Sequence, residues 1–373
     1  MTHQSRSATR RSVLGALTAV GGAAALGVPF VATASRAAAL AEQPLDSASR
    51  ARDWEWLIGQ WDVAHRRLKE RLAGSTEWEA FNGRSALWLT LGGLGTVDDN
   101  LLGLPGGTYR ATGIRAFNPA NGQWAIWWLD GRYPTRIDPP VYGRFDIDSA
   151  TFIGHDTFEG RPIQVRFRWL DIHGRHPFWE QAFSPDSGAT WEINWHMKFT
   201  RTSSAERPPP TEGGGAPRDV PDDWAFLEGL WDVRHRRLEK RLAGSKDWVN
   251  FDGTLDNRPV MGGAGNVSDN VMRYPSGPFR GVGIRSYDAA TKQWLSWWLD
   301  GRNPATIGPP VRGSFSDGVG TFTGADTHEG RAILARVRWS RLTARSAHWE
   351  QAFSADGGRS WEVNWTSSLT RRG

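Results

Sequence analysis

"RPIQVRFRWL" (161–170) sets Ile163, Val165, Phe167 and Trp169 against Gln164, Arg166 and Arg168. Apolar and polar side chains alternate with a period of two, the repeat of a strand with one face buried and the other solvated. "ATWEINWHMKF" (189–199) reads the same way: Trp191, Ile193, Trp195, Met197 and Phe199 are predicted on the buried face, Glu192, Asn194 and His196 on the other. "NPANGQ", "DGRYP", "DIDSAT" and "PDSG" punctuate such runs with turn residues. "HRRLKERLAGSTEWEAF" (65–81) holds good helix formers, yet it follows directly on strand-like "WDV". We read it as a strand entering a hairpin around Ala73–Gly74–Ser75. The fold class predicted is all-β.

The pattern occurs twice. Asp53–Thr200 aligns without a gap on Asp223–Thr370, and roughly half the positions are identical. "GQWDVAHRRLKERLAGS" answers "GLWDVRHRRLEKRLAGS", and "WWLDGR" stands at 127–132 and again at 297–302. A repeat this long means duplicated domains, since solenoid and propeller units run to about 20–50 residues. The Pro-, Gly- and Ser-rich stretch 201–222 reads as a linker. The predicted organisation is a signal segment 1–39, a short segment 40–52, copy one 53–200, linker 201–222 and copy two 223–373.

Several short strands in each copy imply a sandwich or an up-and-down barrel. "LIGQWDV" and "LEGLWDV" resemble the Gly-x-Trp opening strand of lipocalin-like barrels, where the Trp plugs one barrel end and the glycine lets the chain bend beside it. With "WWLDGR" and "WEQAFS" preceding "WE" and "NW", each copy is similar throughout to an uncharacterised bacterial family of lipocalin-like domains. That resemblance implies two tandem lipocalin-like antiparallel β-barrels and no particular reaction. "SPDSGATW" (184–191) and "SADGGRSW" (354–361) also resemble the Asp-box hairpins of secreted β proteins. Asp186 and Asp356 are expected to hold turns, with a tryptophan packed beneath.

At the N-terminus, Arg10 and Arg11 precede an apolar Gly/Ala-rich stretch that ends in small residues, as in an export signal. "TRRSVL" resembles a twin-arginine signal, which implies export to the periplasm or beyond. The Gly and Ala dilution argues against an anchor, so no membrane anchor is expected in the mature chain. Loss of Arg6, Arg10, Arg11 and Arg36 would take the net charge from +5 to +1 (5 − 4 = 1), leaving no electrostatic footprint for nucleic acid. Cysteine is absent, which removes disulfides, thiolate ligands and cysteine nucleophiles. No phosphate loop or metal-ligand motif is present, so neither cofactor nor metal is expected. His173 and His176 fit a surface turn better than a metal, because copy two has Thr343 and Ser346 there.

The chain has 22 tryptophans and five tyrosines, a composition suited to β cores and ligand walls. His65 and His235 share strand parity with Trp61/Val63 and Trp231/Val233 and so point inward, either as core residues or as proton-transfer groups. Asp130 and Asp300 end the "WWLD" strand, and Arg132 and Arg302 follow the glycine. They either close a turn or rim a pocket. Trp127 and Trp128 point to opposite faces, as do Trp297 and Trp298, so one ring of each pair builds core and the other is free for a ligand or a domain interface. Arg166/Arg168, Glu180/Gln181 and Glu192/Asn194 either form an exterior cross-strand ladder or line a polar cavity.

These residues point first to an exported tandem barrel that binds a small, largely apolar or aromatic ligand. Arg67, Trp128, Arg132, Arg237, Trp298 and Arg302 would contact it. One alternative is a cofactor-free isomerase, cyclase or hydrolase using His65, Asp130, His235 and Asp300. The other is an extracellular carbohydrate-binding protein. The two barrels are free to pack on each other. His155, Tyr142 and His196 become Ala325, Arg312 and Thr366, which suggests that the copies divide labour.

Overall fold

The computed structural model describes residues 50–373; the export signal expected at 1–39 lies outside the described residues. Within one compact unit the chain forms two closed barrels, each of ten antiparallel strands in simple up-and-down order. The first comprises β1 (Gly59–Leu68), β2 (Trp78–Thr90), β3 (Gly95–Leu104), β4 (Gly107–Asn118) and β5 (Gln123–Asp130). It continues with β6 (Val141–Phe145), β7 (Ser149–Phe158), β8 (Arg161–Leu170), β9 (Phe178–Ser184) and β10 (Glu192–Ser203). The second repeats this order: β11 (Gly229–Leu238), β12 (Trp248–Val260), β13 (Gly265–Met272), β14 (Phe279–Asp288) and β15 (Gln293–Asp300). Then come β16 (Val311–Ser316), β17 (Val319–His328), β18 (Arg331–Ser340), β19 (Ser346–Ser354) and β20 (Glu362–Arg371). Pairing of β1 with β10, and of β11 with β20, closes each sheet and leaves no open edge. No helix among the described residues is long and apolar enough to cross a membrane.

One end of each barrel is shut by aromatic packing. The 3-10 turn Glu55–Leu57 carries Trp54 into the barrel floor, against Trp124, Phe145, Phe152 and Trp169. The Trp124 indole donates to Asp53 (2.9 Å), and Trp294 donates likewise to Asp223 (2.9 Å). Beside the floor Trp61 is buried under the Arg201 guanidinium and donates to the Leu57 carbonyl (2.7 Å). Gly59 holds φ at 121°, and a Cβ there would lie 2.1 Å from the Ser203 carbonyl oxygen, so this entry needs glycine.

The alternation in β8 holds: Ile163, Val165 and Trp169 are buried inward, while Arg168 pairs outside with Glu180 (3.1 Å). The strict alternation expected across 189–199 does not. A β-bulge between Ile193 and Trp195 inserts one extra residue, so Asn194 and Trp195 fall on the same side. Ile193 faces solvent, and Asn194 is fully buried and accepts from Gln181 (2.9 Å). Glu192 turns to the barrel end, where both its oxygens accept from the Leu72 amide (2.8 and 3.0 Å). The exterior ladder is therefore confined to Arg166, Arg168 and Glu180, and the second barrel carries the same bulge at Asn364.

Residues 69–77 form the hairpin connection expected there rather than a helix. The aspartate turn is built as expected: Asp186 accepts from Ser184 Oγ (2.7 Å) and from the Thr190 amide (2.9 Å), and Asp356 repeats both bonds.

The barrels pack side by side through the outer faces of β3–β5 and β13–β15. Trp127, Ile114, Val97 and Leu129 meet Trp297, Ile284, Val267 and Leu299 in one continuous apolar cluster. The turn Leu91–Gly93 reaches the second barrel, and its counterpart Met261–Gly263 reaches the first. The Met261 amide donates to Asp99 (2.7 Å) and the Leu91 amide to Asp269 (3.2 Å), so the contact is near-symmetric. The linker covers one side of it: Thr211 donates through N and Oγ1 to Asp99, and Arg110 donates to the carbonyls of Gly213 (2.6 Å) and Gly214 (2.9 Å).

Candidate functional site

Above each aromatic floor lies a cavity, about 240 Å³ in the first barrel and about 230 Å³ in the second. Apolar walls come from inward positions of neighbouring strands: Val63, Val165, Trp169, Trp179 and Met197 in one, Val233, Val337, Trp339, Trp349 and Leu369 in the other.

His65 points inward as its parity predicts, and is 4 % exposed. Its ring stacks on Phe81 (4.6 Å between centroids) and its Nδ1 accepts from the Trp195 indole (3.2 Å). The neutral ring therefore carries its proton on Nε2. Glycine at position 83 makes room for it, since a Cβ there would lie 2.6 Å from Nε2. Burial first, then the nearby Arg67 charge, push the imidazole pKa down to about 3. His235 is built alike, stacked on Phe251 and bonded to Trp365 and Ser367, and burial pushes it down to about 4.

The "WWLDGR" doublet divides between two tasks. Trp127 and Trp297 point outward into the barrel–barrel contact, whereas Trp128 and Trp298 line the cavities. Asp130 serves the turn and the cavity rim together. It accepts from the Arg132 amide (2.9 Å) and pairs with the Arg132 guanidinium through Nε (3.0 Å) and Nη2 (2.6 Å). The guanidinium lies 3.7 Å from the Tyr109 ring centroid. Asp300 and Arg302 repeat the arrangement over Phe279 (3.9 Å). Arg67 pairs with Glu79 and faces Trp195; Arg237 also faces Trp365, but Val249 stands where a carboxylate would.

Several lining residues escaped the sequence reading. Arg115 enters the first cavity and pairs with Asp98 (2.7 Å), both almost wholly buried. Asp138 lies at the rim, and burial pushes its carboxyl up to about 6. The available signal was parity in β4, where Arg115 sits across from inward-facing Ile126. It was obscured because the other face of β4 is also buried, against the second barrel. Of the residues that differ between copies, His155 lines the first cavity. His196 lies outside, stacked on Trp78, and Tyr142 reaches the Ala305 carbonyl in the second barrel (3.1 Å). Among the described residues no cluster of His, Asp or Glu could hold a metal ion.

The fold and site define a class: tandem closed antiparallel barrels with an aromatic-walled cavity in each. No protein family and no curated protein matches the chain. Among solved structures it is similar to a Nostoc punctiforme protein of unknown function from the DUF3598 family, at 11 % identity over 87 % of this chain and 99 % of that one, with a TM-score of 0.27. It is also similar to transferrin binding protein B from Haemophilus parasuis, at 7 % identity over 84 % of this chain and 75 % of that one, TM-score 0.16. Superpositions this loose carry no functional argument.

Proposed function

We propose that this is an exported binding protein whose two barrels each hold a small, largely apolar or aromatic molecule. The observation that carries the reading is the pair of aromatic-walled cavities at equivalent places, each closed at one end, the first rimmed by the paired Asp130 and Arg132 and the second holding Arg285 and Asp326. Tryptophan walls supply contact area at little conformational cost, and a few polar groups orient the occupant. The histidines support binding over catalysis: an imidazole held at about 3 or about 4, with one nitrogen occupied by an indole, is a weak base near neutral pH.

Native mass spectrometry of the protein purified gently after export tests this reading. An added mass of a few hundred daltons, once or twice per chain, is the expected result; a clean apo mass at every concentration of candidate apolar ligands would overturn it.

A second reading, cofactor-free proton transfer in the first barrel, is favoured by Asp138 alone, whose carboxyl titrates at about 6 at the cavity rim. Turnover of a screened substrate that disappears in Asp138→Asn and survives in His65→Gln would establish it. The carbohydrate reading has thinner support, because Trp298, at 36 % exposed, is the most exposed tryptophan among the described residues.

A further inference from the structure

Position 98 in the first barrel corresponds to position 268 in the second, and there the chemistry changes. Asp98 gives Arg115 a carboxylate at 2.7 Å; Ser268 gives the equivalent Arg285 only a hydroxyl at 2.7 Å. Arg285 lines the second cavity, is 6 % exposed, and bonds otherwise to the Asn266 side-chain oxygen (2.7 Å). The Nε is buried without a partner in Arg115 and Arg285 alike, so the difference lies in the counter-ion: among the described residues no carboxylate pairs with the Arg285 guanidinium. The indole of Trp224 beneath it (4.4 Å) supplies a π face but no counter-charge.

A buried charge without a partner costs several kcal/mol, so a fold retains one chiefly where something neutralises it. Other acids recede from this cavity as well. The first is lined by Asp98, Asp130, Asp138 and Asp156, whereas Asp326 is the carboxylate lining the second. Gly308 stands where Asp138 would be. Burial alone drives the Arg285 guanidinium down to about 9, with no acid offsetting it.

We propose that the second barrel takes a small organic carboxylate, whose anionic oxygens give Arg285 the counter-ion that Asp98 gives Arg115, and that the first barrel takes a neutral molecule. This rests on the binding reading above and adds to it the charge of each occupant. A carboxylate on a guanidinium in a dry cavity forms short, charge-assisted hydrogen bonds, and its apolar remainder would lie along Trp298 and Trp349.

Calorimetric titration of the full chain with 1-naphthoate and with 1-naphthamide tests the proposal. Naphthoate is expected to bind one site per chain, roughly tenfold or more tighter than the amide does at that site. Ser268→Asp installs the first barrel's own ion pair; it should weaken naphthoate at least roughly tenfold and leave amide binding in place. Asp98 is accommodated beside Gly113, and Gly283 leaves the same space beside position 268, so this variant should fold and melt higher than the parent.

Equal binding of acid and amide, or naphthoate affinity unmoved in a folded Ser268→Asp, would overturn the anion and leave the binding reading standing. A higher melting temperature in Ser268→Asp with unchanged naphthoate affinity would make Arg285 merely structural and also overturn it. If neither compound binds and acetate fails to raise the melting temperature of the parent above that in chloride, the counter-ion falls; the binding reading falls with it only where the native mass spectrum is also clean.

Discussion

His65 and His235 tie the cavity to protein stability through one proton each. Their imidazoles titrate at about 3 and about 4 in the fold, against about 6.5 in an unfolded chain. Between those values the unfolded chain binds a proton that the folded chain refuses. Their stabilisation is thus complete above pH ~6.5 and is lost as the pH falls toward the folded values, by up to about 1.4 kcal/mol per pH unit for each ring. The melting temperature should drop between pH about 7 and about 5, and drop less steeply in His65→Gln; parallel curves for parent and variant would show the ring to be solvated. The tryptophan doublet gives a second expectation. Trp127→Ala should cost about 3–5 kcal/mol by denaturant unfolding, because it opens a hole in the barrel–barrel contact. Trp128→Ala should unfold closer to the parent and instead release whatever ligand the first barrel retains.

Strand context decides what each of these residues becomes. The first half of β3 and most of β4 and β5 are buried on both faces, one toward a cavity and the other toward the second barrel, so alternation of apolar and polar residues no longer reports solvent. That is why Arg115 and Asp98 were missed while His65 was found: β1 keeps a solvated outer face of Asp62, Ala64 and Arg66, and its parity is plain. The bulge in β10 is a second case. "WEINW" carries no residue that announces an insertion, and only closure of β10 against β9 reveals it. The aspartates that hold the two crossing turns, Asp99 in β3 on the Met261 turn and Asp269 in β13 on the Leu91 turn, carry their own test. Asp99 is fully buried with Arg110, Thr211 and the Met261 amide, whereas Arg280 beside Asp269 is 40 % exposed. Asp99→Ala should therefore cost about 3–5 kcal/mol. Asp269→Ala should cost less, since solvent screens the cation left behind. Urea midpoints of the two variants check the order.

For the molecule as a whole, the duplicated barrels share a core. The cluster around Trp127 and Trp297 draws on both, and the linker is bound over the contact by Arg110 and Thr211 instead of hanging free. One cooperative unfolding transition is expected by circular dichroism and by tryptophan fluorescence alike. A protease site placed at 204–206, where the linker is exposed, should permit a clean cut whose two products still co-elute at high salt, since an apolar contact is little screened. Separation of the halves under those conditions would show that the apolar contact alone does not hold them.

Much of this was readable from the chain because it depends on local rules. Period-two alternation, turn residues and an ungapped repeat dictate tandem β domains, and inward parity delivers His65, Trp128 and Asp130 to one interior. What the tertiary structure alone decided is which face of a doubly buried strand meets which partner. Closure of ten strands sets Arg115 against Asp98 and Arg285 against Ser268. Docking of one barrel on the other turns the outward ring of each doublet, Trp127 and Trp297, into shared core. Both outcomes depend on pairings between strands distant in the chain, and a side chain's neighbours across a sheet are invisible until the register that joins them exists.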